Sequence, residues 1–366
     1  MTMDKDTFLE RFGHLAQGSN GIKKLRELIL QLAVQGKLVE QDENDGLGHE
    51  LLSRIREKEK TLLESRSMRK NKYEKHSLST TVEFPSSWIK CDIGELGQIA
   101  GGKRLPAGHS FSETKTDFVY IRVTNMKAGS ILENDLKYID QQTRDILSKY
   151  TISSSDVYVT IAGTIGETGI VPDFFDGMNL TENAAKLLFF APENIDKRFV
   201  VFQIMSPFIQ RQFQEATNKQ AQPKLALKRI AATSFLLPPL EEQRRIVAKV
   251  DELMALCDEL EAAQTAHVEL KRDCVASTLH HLTEATEQQD IKANWSIAEG
   301  NFNDWFDDLE TVKKLRATIL QFAVQGKLVE QDPSDEPASI LLDRIKADKE
   351  AQGEVKMKTK KGKQAA

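Results

Sequence analysis

Apolar residues in the first third of the chain recur at three- and four-residue spacing. Ile22, Leu25, Ile29 and Leu32 fall on one face of a helix, and Leu51, Leu52 and Ile55 mark a second, shorter one. The pattern returns late in the chain. Residues 22–45 read IKKLRELILQLAVQGKLVEQDEND and residues 312–335 read VKKLRATILQFAVQGKLVEQDPSD, with 18 of 24 positions identical. An offset of 290 residues is far longer than any solenoid period, so a unit of domain size has been duplicated. Gly36 and its equivalent Gly326 are expected to close their helices in the left-handed conformation. In the second copy Ser334 or Asp335 can cap the next helix, with Pro337 in its first turn.

A third helical stretch starts at Pro238-Pro239-Leu240-Glu241-Glu242-Gln243, where prolines and acids suit a helix N-terminus. Ile246, Val250, Leu253, Cys257 and Leu260 then alternate by four and three, a packing seam of coiled-coil type, fading by about residue 285. Such a rod is about 70 Å long. Between the helical stretches the texture changes. Eight of the ten prolines lie in 85–239, and short β-branched runs, Phe118–Val123 and Val157–Ile161, are bounded by glycine. One helix is expected at about 196–216, carrying Phe199, Phe202, Ile209 and Phe213. The fold class is therefore α+β: a mixed α/β domain at 84–238 between long, coiled-coil-like helices. A helical arm at 1–83 contains the first repeat copy at 22–60, and a long spacer helix follows at 239–290. A second arm at 305–366 contains the other copy at 312–350 and a basic tail.

Charge is divided along the chain. The net value is −5, yet 84–238 is close to neutral while 239–310 holds 6 basic against 17 acidic residues. That acidic stretch repels phosphate and should face protein or solvent. There is no run of 18 apolar residues, so no membrane span is expected, and the charged N-terminus does not read as an export signal. Three cysteines, Cys91, Cys257 and Cys274, form no CxxC pair and suit a reducing cytoplasm as buried apolar residues.

Motifs for chemistry are absent. The chain has no Asn/Asp-Pro-Pro-aromatic loop of an adenine methyltransferase and no GxxxxGK phosphate loop. It also lacks a carboxylate–lysine cluster of a metal nuclease, and its histidines are scattered. The glycines of AGTIGETG (162–169) read as a tight strand connection rather than a phosphate cradle, because no helix start follows. Without a metal site or a cofactor motif, a binding role is the expectation.

Several segments together resemble one family. The repeats of the LRxxILQxAVQGKLVxQD type, the segment LPPLEEQRRIVAKVDELMALCDELE (237–261) and the intervening domain look like the specificity subunit of Type I restriction-modification systems. Within that domain the supporting stretches are Gly101-Gly102-Lys103, DVYVTIAGTIGETGIVP (156–172) and Gln220–Leu225. The resemblance spans about residues 20–350. It implies a non-catalytic, cytoplasmic chain that reads one half of a bipartite double-stranded DNA target through a target-recognition domain. It also implies helical regions that dock methyltransferase subunits, which use S-adenosylmethionine on adenine, and a restriction motor subunit using ATP and magnesium. Family members carry two reading domains; here only one is expected. The seam suggests that two copies pair through 240–285.

Expected DNA contacts are Lys103 and Arg104 after the double glycine, then Arg122, Asn125 and Lys127 at a strand end. The polar loop Lys219, Gln220, Gln222 and Lys224 completes the set. Arg and Lys suit phosphates and guanine, and Asn and Gln suit adenine. Arg244, Arg245 and Lys249 are the candidate partner-docking cations. Two other readings are a helical scaffold that binds no DNA and the specificity domain of another methylation-based defence system.

Overall fold

The structure is a computed structural model that describes residues 5–18, 20–74, 83–217, 223–329 and 332–362. Two compact units divide the chain, Met1–Ala262 and Ala263–Ala366. In the first unit the N-terminal arm forms α1 (Lys5–Phe12), α2 (Gly21–Val34) and α3 (Gly48–Glu64). The predicted face of α2 is buried through Ile22, Leu25 and Ile29, and Ala33 extends it. Gly36 ends the helix with φ +66°, and a Cβ there would stand 2.4 Å from the Pro85 ring and 3.1 Å from Trp88. Gly48 opens α3 with its amide on the Ser87 carbonyl at 2.7 Å. A Cβ on Gly48 would lie 2.4 Å from the Leu237 carbonyl oxygen. Two glycines thus let the arm pack directly on the next domain, Gly36 against its side chains and Gly48 against its backbone.

That domain runs through β1 (Ile89–Asp92), α4 (Ile93–Leu96), β2 (Gly97–Gly101), β3 (Val119–Ile121), β4 (Met126–Lys127) and β5 (Ser130–Ile131). It continues through β6 (Lys137–Tyr138), α5 (Gln141–Ile146), β7 (Val157–Thr160), β8 (Thr168–Ile170), β9 (Asn179–Leu180) and β10 (Ala184–Phe189). Last come α6 (Lys197–Met205), α7 (Pro207–Thr217), α8 (Leu227–Ala231) and β11 (Ser234–Leu237). Among the described residues the sheets have strand orders β2-β10-β7-β8, β6-β3-β9, β1-β11 and β4-β5. All pairs are antiparallel except β3 with β9. Val157-Tyr158-Val159-Thr160 is buried on both faces, which is why that run is continuously β-branched or aromatic. AGTIGETG is the β7–β8 connection, with Gly163 and Gly166 at positive φ. The single helix expected at 196–216 is two. Ser206 is extended (ψ 151°) ahead of Pro207, which disfavours helical geometry in the preceding residue and brings no N–H.

The long helix α9 (Leu240–Glu284) starts as predicted, after Pro238-Pro239. Its first turns are built into the first unit. The Glu242 carboxylate accepts hydrogen bonds from Gln41 Nε2 at 2.6 Å and Trp88 Nε1 at 2.8 Å. Gln243 donates to the Pro238 carbonyl at 3.0 Å and accepts from the Asp196 amide at 2.9 Å. Arg198 grips Asp251 with both guanidinium nitrogens, and Arg26 of α2 bridges Asp258 and Glu261 at 2.6 and 2.9 Å. Ile246, Val250, Leu253 and Cys257 lie in one core cluster with Leu25, Ile29, Trp88, Phe199 and Leu237. The seam from 246 to 257 therefore has its partner within the same chain. At these positions the packing partner is the arm and the following domain rather than a second copy. Residues 261–270 of α9 are exposed on every side. The sequence boundaries fall at 83/84 and 238/239, whereas this core runs continuously from Phe8 to Cys257.

The second unit contains the end of α9, α10 (Gln288–Gly300), α11 (Phe302–Trp305), α12 (Leu309–Gln325) and α13 (Ala338–Gly362). Its core joins Val275, Leu279, Leu282, Ile291, Ala298, Phe306, Leu315 and Phe322. Asp308 caps α12 by accepting from the Glu310 and Thr311 amides, and Gly326 closes it at φ +68°. The two repeat copies are near-identical in sequence, and both bury the face of Leu25 and Leu315, but a second face differs in burial. Leu30 is 8 % exposed against 68 % for Leu320, Val34 3 % against 88 % for Val324, and Leu51 1 % against 53 % for Leu341. The first copy packs this face against the domain that runs from Ile89 to Leu237; the same face of the second copy is exposed.

Two outcomes follow from this packing. Gly36→Ala should destabilise the chain by more than the left-handed backbone cost of about 1–2 kcal/mol, because its Cβ would also press on the Pro85 ring; denaturant titration of the variant against wild type measures the loss. Burial raises the Glu242 carboxyl above the ordinary glutamate value, so the native state holds its proton where the unfolded chain has released it. Its contribution to stability is complete at low pH and is lost as pH rises through the raised value. Glu242→Gln should flatten that pH dependence, and Glu242→Ala should cost about 1–3 kcal/mol by leaving the buried Trp88 indole N–H without its acceptor.

Candidate nucleic-acid interface

At the end of β2 the chain passes so close to its neighbour that Gly102 has no room for a side chain. A Cβ there would be 2.1 Å from the Thr181 carbonyl oxygen. The Gly102 amide donates to the Ala184 carbonyl (3.1 Å) and that of Lys103 to Leu180 (3.0 Å). This locks the backbone and sends the side chains of Lys103 and Arg104 to the exposed surface. The buried Tyr120 phenol donates to the Lys103 carbonyl at 2.7 Å. Burial pushes it up to about 12, so it stays protonated in that role. Lys103 Nζ lies 6.0 Å above the Tyr150 ring, within reach of a cation–π attraction.

Glu182, between β9 and β10, gathers cations from distant stretches. Lys224 Nζ donates to its carbonyl at 3.4 Å, and Arg104 Nε lies 3.9 Å from its carboxylate. Leu225 is fixed by its amide on the Ile161 carbonyl at 2.9 Å. The result is an open depression of about 580 Å³ lined by Lys103, Arg104, Glu182, Lys224, Ile161 and Leu227. A smaller one of about 370 Å³ shares Arg104 and Glu182 and adds Phe111, Arg122 and Asn183. Both are open, cation-edged and floored by rigid strand ends. That is the form suited to an extended polyanion, and the carboxylate could accept from a cytosine amino group.

Of the predicted contacts, Lys103, Arg104, Arg122 and Lys224 converge here. Arg122 is partly committed, since its guanidinium bonds Asp135 at 2.8 Å, and this bond is the leading cause holding the Asp135 carboxyl below the usual range. Asn125 does not belong with them. It is buried, donating to the Asn134 carbonyl at 2.7 Å and accepting from the Arg122 amide at 3.2 Å. Its amide closes the 122–134 loop and has no free edge for a base. Lys127 is exposed on the β4–β5 hairpin, away from both depressions. Lys219, Gln220 and Gln222 lie outside the described residues. Glu182 was not anticipated, because no sequence pattern marks an acid that meets cations some 40 to 80 positions away.

The three docking cations are placed differently from one another. Arg245 is tied to Asp45 at 2.6 Å and to the Glu40 carbonyl at 3.1 Å, so it joins α9 to its own arm. Lys249 pairs with Glu252 and is mostly covered. Arg244 pairs with Glu241 across one helical turn and remains exposed. Arg245 and Lys249 line a depression of about 760 Å³ with Val39 and Glu252. Among the described residues, no group of three His, Cys, Asp or Glu is arranged to hold a metal ion. No described helix is long and apolar enough to cross a membrane.

Comparison with known proteins bears on this surface. The chain is 30 % identical over 336 residues to the EcoAI Type I restriction enzyme specificity subunit of Escherichia coli, covering 90 % of this chain and 56 % of that protein. To the EcoEI specificity subunit of the same organism it is 28 % identical over 346 residues, covering 91 % and 57 %. It thus spans a little over half the length of these curated relatives. The crystal structure of the HsdS subunit from Thermoanaerobacter tengcongensis superimposes with a TM-score of 0.43 at 23 % identity, covering 56 % of this chain and 51 % of that one. Residues 85–270, half of the chain and all of the cation-edged surface, match the Type I restriction modification DNA specificity domain, and the chain belongs to that family.

Proposed function

We propose that this chain is the sequence-reading component of a Type I restriction-modification complex and contacts one half of a bipartite DNA target. The observation that carries the reading is the convergence of Lys103, Arg104 and Lys224 around Glu182 on rigid strand ends. Lysine and arginine neutralise phosphates, and arginine in a groove pairs with guanine. The chain contributes recognition and no bond-making chemistry, and it takes no cofactor of its own. Methyltransferase subunits carrying S-adenosylmethionine dock on its helical regions, where exposed Arg244 is the available cation. A restriction subunit uses ATP and magnesium. The open apolar face of the second repeat copy, closed by a reading domain in the first, supports docking of a further protein body there.

Direct binding of the full chain to duplex DNA, titrated over a range of salt, tests this reading. Lys103→Ala and Lys224→Ala should each lower affinity and make the salt dependence shallower by about 0.9 per lost phosphate contact. Wild-type affinity at every salt concentration would remove these residues from the interface. Asn125→Ala should act in the opposite way, lowering stability by about 1–3 kcal/mol through two orphaned partners. Sequence preference should survive that change; a shift in preferred target without loss of stability would restore Asn125 as a reader.

A further inference from the structure

Beside the depression at Lys103 lies a second cationic surface, built by a segment that belongs by sequence to the N-terminal arm. Residues 65–74 read SRSMRKNKYE and form neither helix nor strand beyond the end of α3. They are nonetheless held firmly. β2 is an edge strand of its sheet, and edges leave backbone groups unpaired. Asn71 fills that role with its side chain. Its Oδ1 accepts from the Ile99 amide at 2.9 Å, and its Nδ2 donates to the Gly97 and Gly94 carbonyls at 2.8 and 2.9 Å. The Arg69 amide donates to Gln98 Oε1 at 2.8 Å. The Tyr73 ring sits over Gly94, where a Cβ would be 2.7 Å away.

On the other side of this segment is α8. It lies along β2 and α4, with Leu227 against Gly101 and Ala231 against Gly94. Lys72, Tyr73 and Glu74 together with Lys228, Arg229 and Ala232 line an open depression of about 510 Å³. Lys72, Lys228 and Arg229 are exposed, and Glu74 is the one acid in the lining. The Lys103 depression meets α8 at Leu227, and this one is lined by the next residues, Lys228 and Arg229, and by Ala232 past the helix end. A five-residue helix spans about 7.5 Å, about two phosphate steps along one strand of a duplex.

We propose that Lys72, Lys228 and Arg229 form a second grip on the phosphate backbone of the same duplex, next to the Lys103–Arg104–Lys224 surface. The proposal rests on the DNA-reading function above and extends it to a segment outside the 84–238 domain. This grip fixes the position of the duplex and carries no base information. Fixing residues 66–74 to the sheet edge through Asn71 makes the N-terminal arm part of the DNA-binding surface.

The test is a full-length triple variant, Lys72→Gln, Lys228→Gln and Arg229→Gln, titrated against a fluorescent mixed-sequence duplex at several salt concentrations. Thermal unfolding by circular dichroism alongside confirms an intact fold; these are exposed side chains, and the single variants serve if the triple unfolds. The expected result is weaker binding and a slope of log affinity against log salt shallower by about 2 to 3. Wild-type binding with an unchanged slope overturns the proposal and leaves the proposed function standing. Unchanged DNA binding with loss of methyltransferase co-purification also overturns it, assigning the patch to an acidic protein surface. If the wild-type chain itself binds no duplex, the functional reading fails along with it.

Discussion

The buried carboxylate of Glu242 is the point at which three parts of the first unit meet. Gln41 brings the N-terminal arm to it, Trp88 the start of the reading domain, and Glu242 itself belongs to the first turn of the long helix. A carboxylate this deeply buried is tolerated only while both donors reach it. Around it, Gly36 and Gly48 allow the arm to lie against Trp88 and the Leu237 carbonyl, and Gln243 stitches the helix start to Asp196. The reading surface inherits its rigidity from this junction, because β2 and α8 are anchored in the same core.

Rigidity at that surface has a functional meaning. Lysine and arginine side chains have many rotamers, and ordering them on a ligand costs conformational entropy. Here the backbone beneath them is fixed: Gly102 pressed on Thr181, Lys103 held through Tyr120, Leu225 tied to Ile161. Glu182 holds the cations together without cancelling them, since several basic groups face one acid. In the lining of this depression three cations, Lys103, Arg104 and Lys224, stand against one acid, although the chain as a whole carries −5. The strongest acidic excess, 17 acidic against 6 basic residues, lies in 239–310, away in sequence from this surface.

Helical features were legible in the sequence because they depend on local periodicity and capping. The start of α9 after Pro238-Pro239, the buried face of α2 and the left-handed glycines at 36 and 326 all follow from patterns within a few residues. The duplication was legible too, but not its unequal burial, since burial depends on what packs against each copy. The break at Ser206-Pro207 is marked in the sequence by the proline, although the apolar period runs on across it. At the site, the cations after the double glycine could be anticipated from turn chemistry. Asn125 could not be distinguished from a base reader, because its commitment to Asn134 and Arg122 depends on how a ten-residue loop folds back. Glu182 and the Asn71 clamp arise from tertiary packing alone. The seam of α9 was identified correctly as buried, and its partner proved to be the arm and the reading domain of its own chain.

The proposed role, sequence choice on behalf of a separate methyltransferase, has a direct cellular readout. Mapping methylated adenines genome-wide, in cells carrying the methyltransferase with and without this chain, tests it most directly. Methylation is expected at one discrete motif that disappears when the chain is absent and changes or weakens with Arg104→Ala. The same methylated positions with and without the chain would contradict it.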